Sequence, residues 1–324
     1  MAGPASATPE TPPPSEGEEA VATAPVGVSS ELFAHVSTGV ELCYRTYGDP
    51  ADEPILLLMG LGSPLTWWDP DLCSMLARRG YFVVTPDNRD VGRSTKVAGR
   101  VTRSMLVRAF VGAPVRTPYS MGDLARDSFA LLDHLGIEKA HVVGVSMGGM
   151  IAQTMAIDEP ERVRSLTSIM STTGRRTVGW QHPRLFPALL RPLCPGREAY
   201  AEDSVAMWRL IGSPGFPRPE EDTREVANET YDRGISPGGT LRQMMAILTQ
   251  PDRSRRLGDV RVPTLVIHGL ADRMVHVSGG RSTAAAVPGA ELILVEGMGH
   301  DLPRELFAMF VDAIDRTARR SGRR

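Results

Sequence analysis

Lysine is nearly absent from this chain: Lys96 and Lys139 are the only two, and arginine carries almost all the positive charge. The total is still close to balance, 36 Lys and Arg against 38 Asp and Glu, a formal net charge of −2. No general attraction to nucleic acid or to an acidic surface follows from that. The one basic cluster, Arg316, Arg319, Arg320, Arg323 and Arg324, reads as a solvated, frayed helix end. Cysteine is equally scarce. Cys43, Cys73 and Cys194 are far apart and odd in number, which excludes a disulfide framework, and nothing resembles a zinc site. They read as reduced packing residues, with a cytoplasmic location as the expectation. No apolar run approaches the roughly 20 residues of a membrane span, and the start lacks the basic and apolar stretches of a signal peptide.

What is present is enough apolar sequence, 42% of 324 residues, for one large core with an insertion or a tail. Residues 1–29 do not belong to that core. They are rich in Pro, Ala, Ser, Thr and Glu, with no Lys, Arg or aromatic residue, and read as a disordered extension. Short strands follow at about Glu31–Ser37 and Val40–Tyr47, joined by a tight turn at Thr38-Gly39. A fully apolar run at Ile55–Met59 has the character of a strand covered on both faces, and further strands are read at Tyr81–Thr85, His141–Val145, Leu166–Ser171, Pro263–His268 and Glu291–Val295. Helix-like stretches separate them. Leu72–Arg79 stops at Gly80, and a capping box at Ser120–Asp123 opens a helix that stops at Gly136. The alternation predicts a mostly parallel, doubly wound α/β sheet. Between residues 174 and 259 the strand signal disappears in favour of helical pieces near Arg184–Arg191, Ala201–Ile211, Glu225–Arg233 and Thr240–Thr249. That is too long for a plain loop. The expected organisation is therefore an extension at 1–29, a core at 30–173, a helical insertion at 174–259 and the rest of the core at 260–324.

The chain is organised around Ala140–Met150, AHVVGVSMGGM. A β-branched strand ends in Gly144-Val145-Ser146-Met147-Gly148 and a buried helix follows. A serine held at positive φ between strand and helix pushes its hydroxyl clear of the backbone, provided the residues two before and two after are small. Gly144 and Gly148 meet that condition.

A serine hydroxyl is a poor nucleophile at neutral pH and needs a base and a third group to orient that base. Asp272 and His300 follow Ser146 in the chain, each in a loop directly after an apolar strand, so all three belong at the carboxyl edge of the sheet. Among the competitors, His35, His134, His141 and His268 lie within strands or a helix, His182 lies in the insertion, and His276 is close to Asp272. Asp301 adjoins His300 and is poorly placed to orient its ring, and the loop after Leu166–Ser171 carries no carboxylate before Gly174. An oxyanion needs two backbone N–H donors, which Met147 and Leu61 in the Met59-Gly60-Leu61-Gly62 loop are placed to supply. No metal or cofactor enters this chemistry.

These features together identify a resemblance to the α/β-hydrolase fold superfamily over about residues 31–318. More narrowly, MGLG, the turn DNRDVGRS at 87–94, GVSMGG and GMGH resemble bacterial polyketide methylesterases of the aclacinomycin type and related actinobacterial esterases. The resemblance implies catalytic roles for Ser146, Asp272 and His300 and makes the 174–259 insertion a cap over the pocket. Serine at the elbow argues against epoxide hydrolase and haloalkane dehalogenase chemistry, which uses aspartate there. The expected activity is hydrolysis of a small hydrophobic carboxylic ester. The alternatives are a carbon–carbon bond hydrolase, an acyltransferase or perhydrolase on the same triad, or a non-catalytic ligand receptor. Of the cap residues Trp180, Phe186, Met207, Trp208, Phe216, Tyr231, Met244 and Met245, about half are expected to form its own core and the rest to line the pocket. Nothing in the sequence fixes the oligomeric state.

Overall fold

The computed structural model describes residues 25–190 and 196–322. Most of the expected 1–29 extension, and Cys194, lie outside the described residues. The last residues of that extension are not separate from the core: Val28 bridges Tyr47, and the Ser29 N–H donates to the Thr46 carbonyl. Cys43 and Cys73 are free and buried.

The described residues form one eight-stranded sheet with the order β1-β2-β4-β3-β5-β6-β7-β8. Its strands are β1 (Leu32–His35), β2 (Glu41–Tyr47), β3 (Glu53–Leu58), β4 (Tyr81–Pro86), β5 (Ala140–Val145), β6 (Val163–Ile169), β7 (Thr264–Gly269) and β8 (Glu291–Val295). β2 is antiparallel to both β1 and β4; the other neighbours are parallel. The helices are α1 (Pro70–Arg78), α2 (Arg103–Phe110), α3 (Met121–His134), α4 (Met147–Asp158), α5 (Phe186–Leu190), α6 (Arg197–Ile211), α7 (Glu220–Asp232), α8 (Pro237–Thr249), α9 (Ser254–Leu257), α10 (Ser278–Ala286) and α11 (Phe307–Arg319).

Strand pleating explains why the central runs had to be apolar throughout. Leu56, Leu58 and Val142 pack with α3 and α4 on one face, whereas Ile55, Leu57, Val143 and Val145 pack with α1 and α11 on the other. Several helices start where the sequence provides a cap. Asp69 accepts from the Asp71 N–H ahead of α1, and Ser120 and Asp123 exchange side chain and backbone bonds ahead of α3.

Several boundaries differ from the sequence expectations. β6 starts at Val163, ahead of the apolar run, because it adds a further neighbour to β5. α7 begins at Glu220, where Glu220, Glu221 and Asp222 give its first turn the acidic residues the helix dipole favours. α8 begins at Pro237, behind a Ser236 cap. α2, in the stretch between Ser94 and Pro118 with no assigned element, is capped by Thr102.

The polar turn 87–94 is buried apart from Gly92 and Arg93 and holds much of this together. Three of its charged side chains reach three different elements. Arg89 pairs with Asp127 of α3, Asp87 with Arg233 just past α7, and Asp90 with Arg242 of α8. The last pair is bidentate, at 2.8 and 2.6 Å, and the Tyr119 hydroxyl adds a 2.7 Å bond to the same carboxylate. Burial alone would raise the Asp90 carboxyl, but these donors hold it below its ordinary value. Replacing Arg242 by Met strands a buried carboxylate and should cost about 3 kcal/mol. The expected reading is a lower urea midpoint. Arg256→Met, at an exposed pair with Asp158, should cost under about 1 kcal/mol.

Candidate active site

Ser146 sits at φ 56° and ψ −116°, between the last residue of β5 and the first of α4. The turn is possible only because the residues two before and two after lack side chains. A Cβ on Gly144 would strike the Gly148 carbonyl, and one on Gly148 would strike the Leu58 carbonyl at the end of β3. The Ser146 N–H is satisfied by the Ile169 carbonyl of β6 at 2.9 Å, and its carbonyl by the Ser171 hydroxyl at 2.7 Å. The elbow is thus clamped between the two strands beside β5.

His300 Nε2 lies 3.1 Å from Ser146 Oγ, and His300 Nδ1 lies 2.7 Å from Asp272 Oδ2. The carboxylate accepts at Oδ1 from the Met274 and Val275 N–H groups, both at 2.8 Å. Desolvation opposes its charge, but His300 and His268 outweigh that and hold Asp272 down to about 2. Asp301 is in the opposite condition. Burial raises its carboxyl, and its partner is the Ser213 hydroxyl. The structure therefore brings Ser146, His300 and Asp272 into one hydrogen-bonded line and leaves Asp301 outside it.

The two expected oxyanion donors flank this line. Met147 is the first residue of α4, so its N–H has no acceptor within the helix. Leu61 follows Gly60, whose ideal Cβ would lie 3.3 Å from Ser146 Cβ and 3.8 Å from its Oγ.

Some contributors were not visible in the sequence. His268 is fully buried, with Nε2 2.8 Å from the Val275 carbonyl and 3.4 Å from Asp272 Oδ2. Its place four residues before Asp272 is the only signal that could have marked it. The cap also braces the histidine loop. The His300 N–H donates to the Ile211 carbonyl at 2.7 Å, and the Gly299 N–H donates to Ser213 Oγ at 2.8 Å.

Between sheet and cap lies a cavity of about 830 Å³ lined by Ser146 and His300. Met207, Trp208, Phe216 and Met244 of the expected cap set line it, and Trp208 stacks on Trp67 with ring centroids 4.9 Å apart. Met245 is buried with Val101 and Ala109, Tyr231 packs on Tyr200, and Trp180 and Phe186 remain exposed.

A family model described as alpha/beta hydrolase fold matches residues 53–303. The chain belongs to that family and is a hydrolase. Among its relatives, the rhodomycin D methylesterase DauP of a Streptomyces species is 29% identical over 288 residues, covering 82% of this chain and 90% of the relative. The 3-oxoadipate enol-lactonase 2 of Acinetobacter baylyi is 28% identical, covering 79% and 85%. Among solved structures, the enol-lactonase from Burkholderia xenovorans LB400 superposes with a TM-score of 0.69 at 23% identity, covering 88% of this chain and 99% of that one. The resemblance to methylesterases read from the motifs is therefore matched by sequence similarity along most of the hydrolase's length. No helix among the described residues is long and apolar enough to cross a membrane.

The depressed Asp272 value carries a consequence for acid stability. A carboxyl near 2 when folded and 3.8 when unfolded stabilises the fold above pH 3.8. That stabilisation, about 2 kcal/mol, is lost as pH falls through the folded value. The unfolding free energies of the parent and of Asp272→Asn should therefore converge between pH 5 and pH 2 in urea titrations; a constant difference would contradict an ionised, stabilised Asp272.

Proposed function

We propose that this hydrolase cleaves hydrophobic carboxylic esters with Ser146 as nucleophile, His300 as base and Asp272 as the group that orients it. The observation that carries this reading is the unbroken line from Ser146 Oγ through His300 to Asp272, at 3.1 and 2.7 Å, opening on an apolar cavity. His300 Nδ1–H donates to Asp272, which leaves Nε2 free to accept the Ser146 proton as Oγ adds to the ester carbonyl. The carbonyl oxygen becomes an oxyanion and is met by the Met147 and Leu61 N–H groups. The imidazolium then returns its proton to the leaving alkoxide as the C–O bond breaks. Water attacks the acyl-enzyme through the same base and frees the acid. Asp272 remains ionised throughout, as its depressed value supports.

The relatives support the bond type, since a methylesterase and an enol-lactonase both act on carboxylic esters, the latter cyclic. The cavity supports the substrate character. Trp67, Met150, Met207, Trp208, Phe216 and Met244 contribute apolar lining around Ser146, in a volume of about 830 Å³ that acetate would leave largely unfilled.

Ser146→Ala should abolish hydrolysis of p-nitrophenyl esters while the thermal midpoint is retained, because one oxygen is removed at the edge of a cavity. Asp272→Asn should lower kcat by about 10⁴ by favouring the wrong histidine tautomer; Asp301→Asn should cost far less, and the reverse order would refute the assignment of the acid. Along an acyl series, kcat/KM should rise roughly tenfold or more with chain length, since one methylene in an apolar pocket is worth about 1–3 kcal/mol. An optimum at acetate would overturn the proposed substrate class.

A further inference from the structure

Between the cap and the Gly60–Gly62 loop stands one side chain that the chemistry above does not use. Gln243, on α8, is completely buried. Its Oε1 accepts from the Gly62 N–H at 2.8 Å, and its Nε2 donates to the Arg89 carbonyl at 2.9 Å. A backbone donor on one side and a backbone acceptor on the other fix which end of the amide faces which, since the flipped amide would oppose donor to donor and acceptor to acceptor. The neighbouring Arg242 locks the same helix to Asp90. On the other side of the loop, Asn88 Nδ2 donates to the Met59 carbonyl at 3.1 Å. The segment that carries the Leu61 N–H is thus held from both ends by polar side chains, one of them supplied by the cap.

We propose that Gln243 is a positioning residue for the oxyanion donors. From the cap it fixes the Gly60–Gly62 loop so that the Leu61 N–H meets the oxygen of the tetrahedral intermediate. This rests on the ester-hydrolase reading above. A preorganised donor is effective only at the position where charge develops, so a loop released from Gln243 loses transition-state stabilisation more than ground-state binding. The apolar cavity walls that bind the substrate do not depend on the amide, and KM is therefore largely spared.

Two variants test this. Gln243→Met keeps the volume and removes both bonds. Its kcat on a p-nitrophenyl ester should fall about 30-fold, with KM changed by less than about threefold. A trifluoromethyl ketone analogue reads the same donors directly. Ser146 Oγ adds to its carbonyl carbon, the serine proton passes to His300, and the carbonyl oxygen becomes the anion. Its affinity should weaken by a factor similar to the loss in kcat, while that of the corresponding unreactive alcohol is unchanged. Gln243→Glu is isosteric and supplies a signature that packing alone would not. When protonated it makes both bonds; when ionised it sets a negative oxygen against the Arg89 carbonyl. The ratio of variant to parent kcat should therefore fall as pH rises from 5 to 9.

A folded Gln243→Met enzyme with kcat within twofold of the parent overturns the proposal, as does a kcat loss with undiminished ketone affinity. If Gln243→Met does not fold, Gln243→Glu decides: a ratio that falls with pH supports the positioning role, and a ratio independent of pH refutes it. Activity surviving in Ser146→Ala would instead overturn the ester-hydrolase reading. An inactive Ser146→Ala beside a parent-like Gln243→Met overturns the Gln243 role alone.

Discussion

The site depends on one close backbone contact, the turn between β5 and α4 pressed against the end of β3. Gly144 and Gly148 leave no room for a Cβ there, and Ser146 takes a positive φ that a residue with a side chain adopts only when its surroundings impose it. Those surroundings are the adjacent strands: β6 satisfies the Ser146 N–H, and the Leu58 carbonyl of β3 lies against Gly148. Because the same turn begins α4 and lies beside Gly60, it sets the hydroxyl, the Met147 N–H and the neighbouring loop in a single arrangement.

The cap is joined to this arrangement by buried polar contacts as well as by apolar ones such as the stacking of Trp208 on Trp67. Arg233 and Arg242 bring two cap segments to carboxylates of the turn 87–94, Gln243 reaches the Gly62 and Arg89 backbone, and the end of α6 holds the His300 backbone. Burying such charges costs desolvation that their attraction only partly returns, so their value lies in specificity. An apolar seam would let the cap slide in many registers. A bidentate Arg242–Asp90 pair permits one. The groups that fix the cap's position thus gather around the turn 87–94, while Met150, Met207, Trp208, Phe216 and Met244 are left to line the cavity beside Ser146.

The cavity's composition follows from the same division. The large apolar cap side chains Met207, Trp208, Phe216 and Met244 are among those that line it, with Trp208 braced by stacking on Trp67. Those turned away, such as Met245, complete the packing of α8 against α2.

The sequence alone determined the parallel sheet, because strands buried on both faces must be apolar at every position, as Ile55–Leu58 and Val142–Val145 are. It also determined which residues to bring together. Ser146 is marked by the glycines its turn requires, and Asp272 and His300 stand in loops that directly follow β7 and β8, so parallel strands deliver them to one edge. Helix starts inside the cap were less legible, since caps such as Ser236 and the acidic turn at Glu220 lie outside the apolar pattern. What only the tertiary structure decided is every role that depends on partners distant in the chain. Arg242 and Gln243 look like ordinary helix residues until Asp90 and Gly62 are folded beside them. Local sequence carries periodicity and turn chemistry; a buried hydrogen bond between residues far apart in the chain exists only once both backbones are in place.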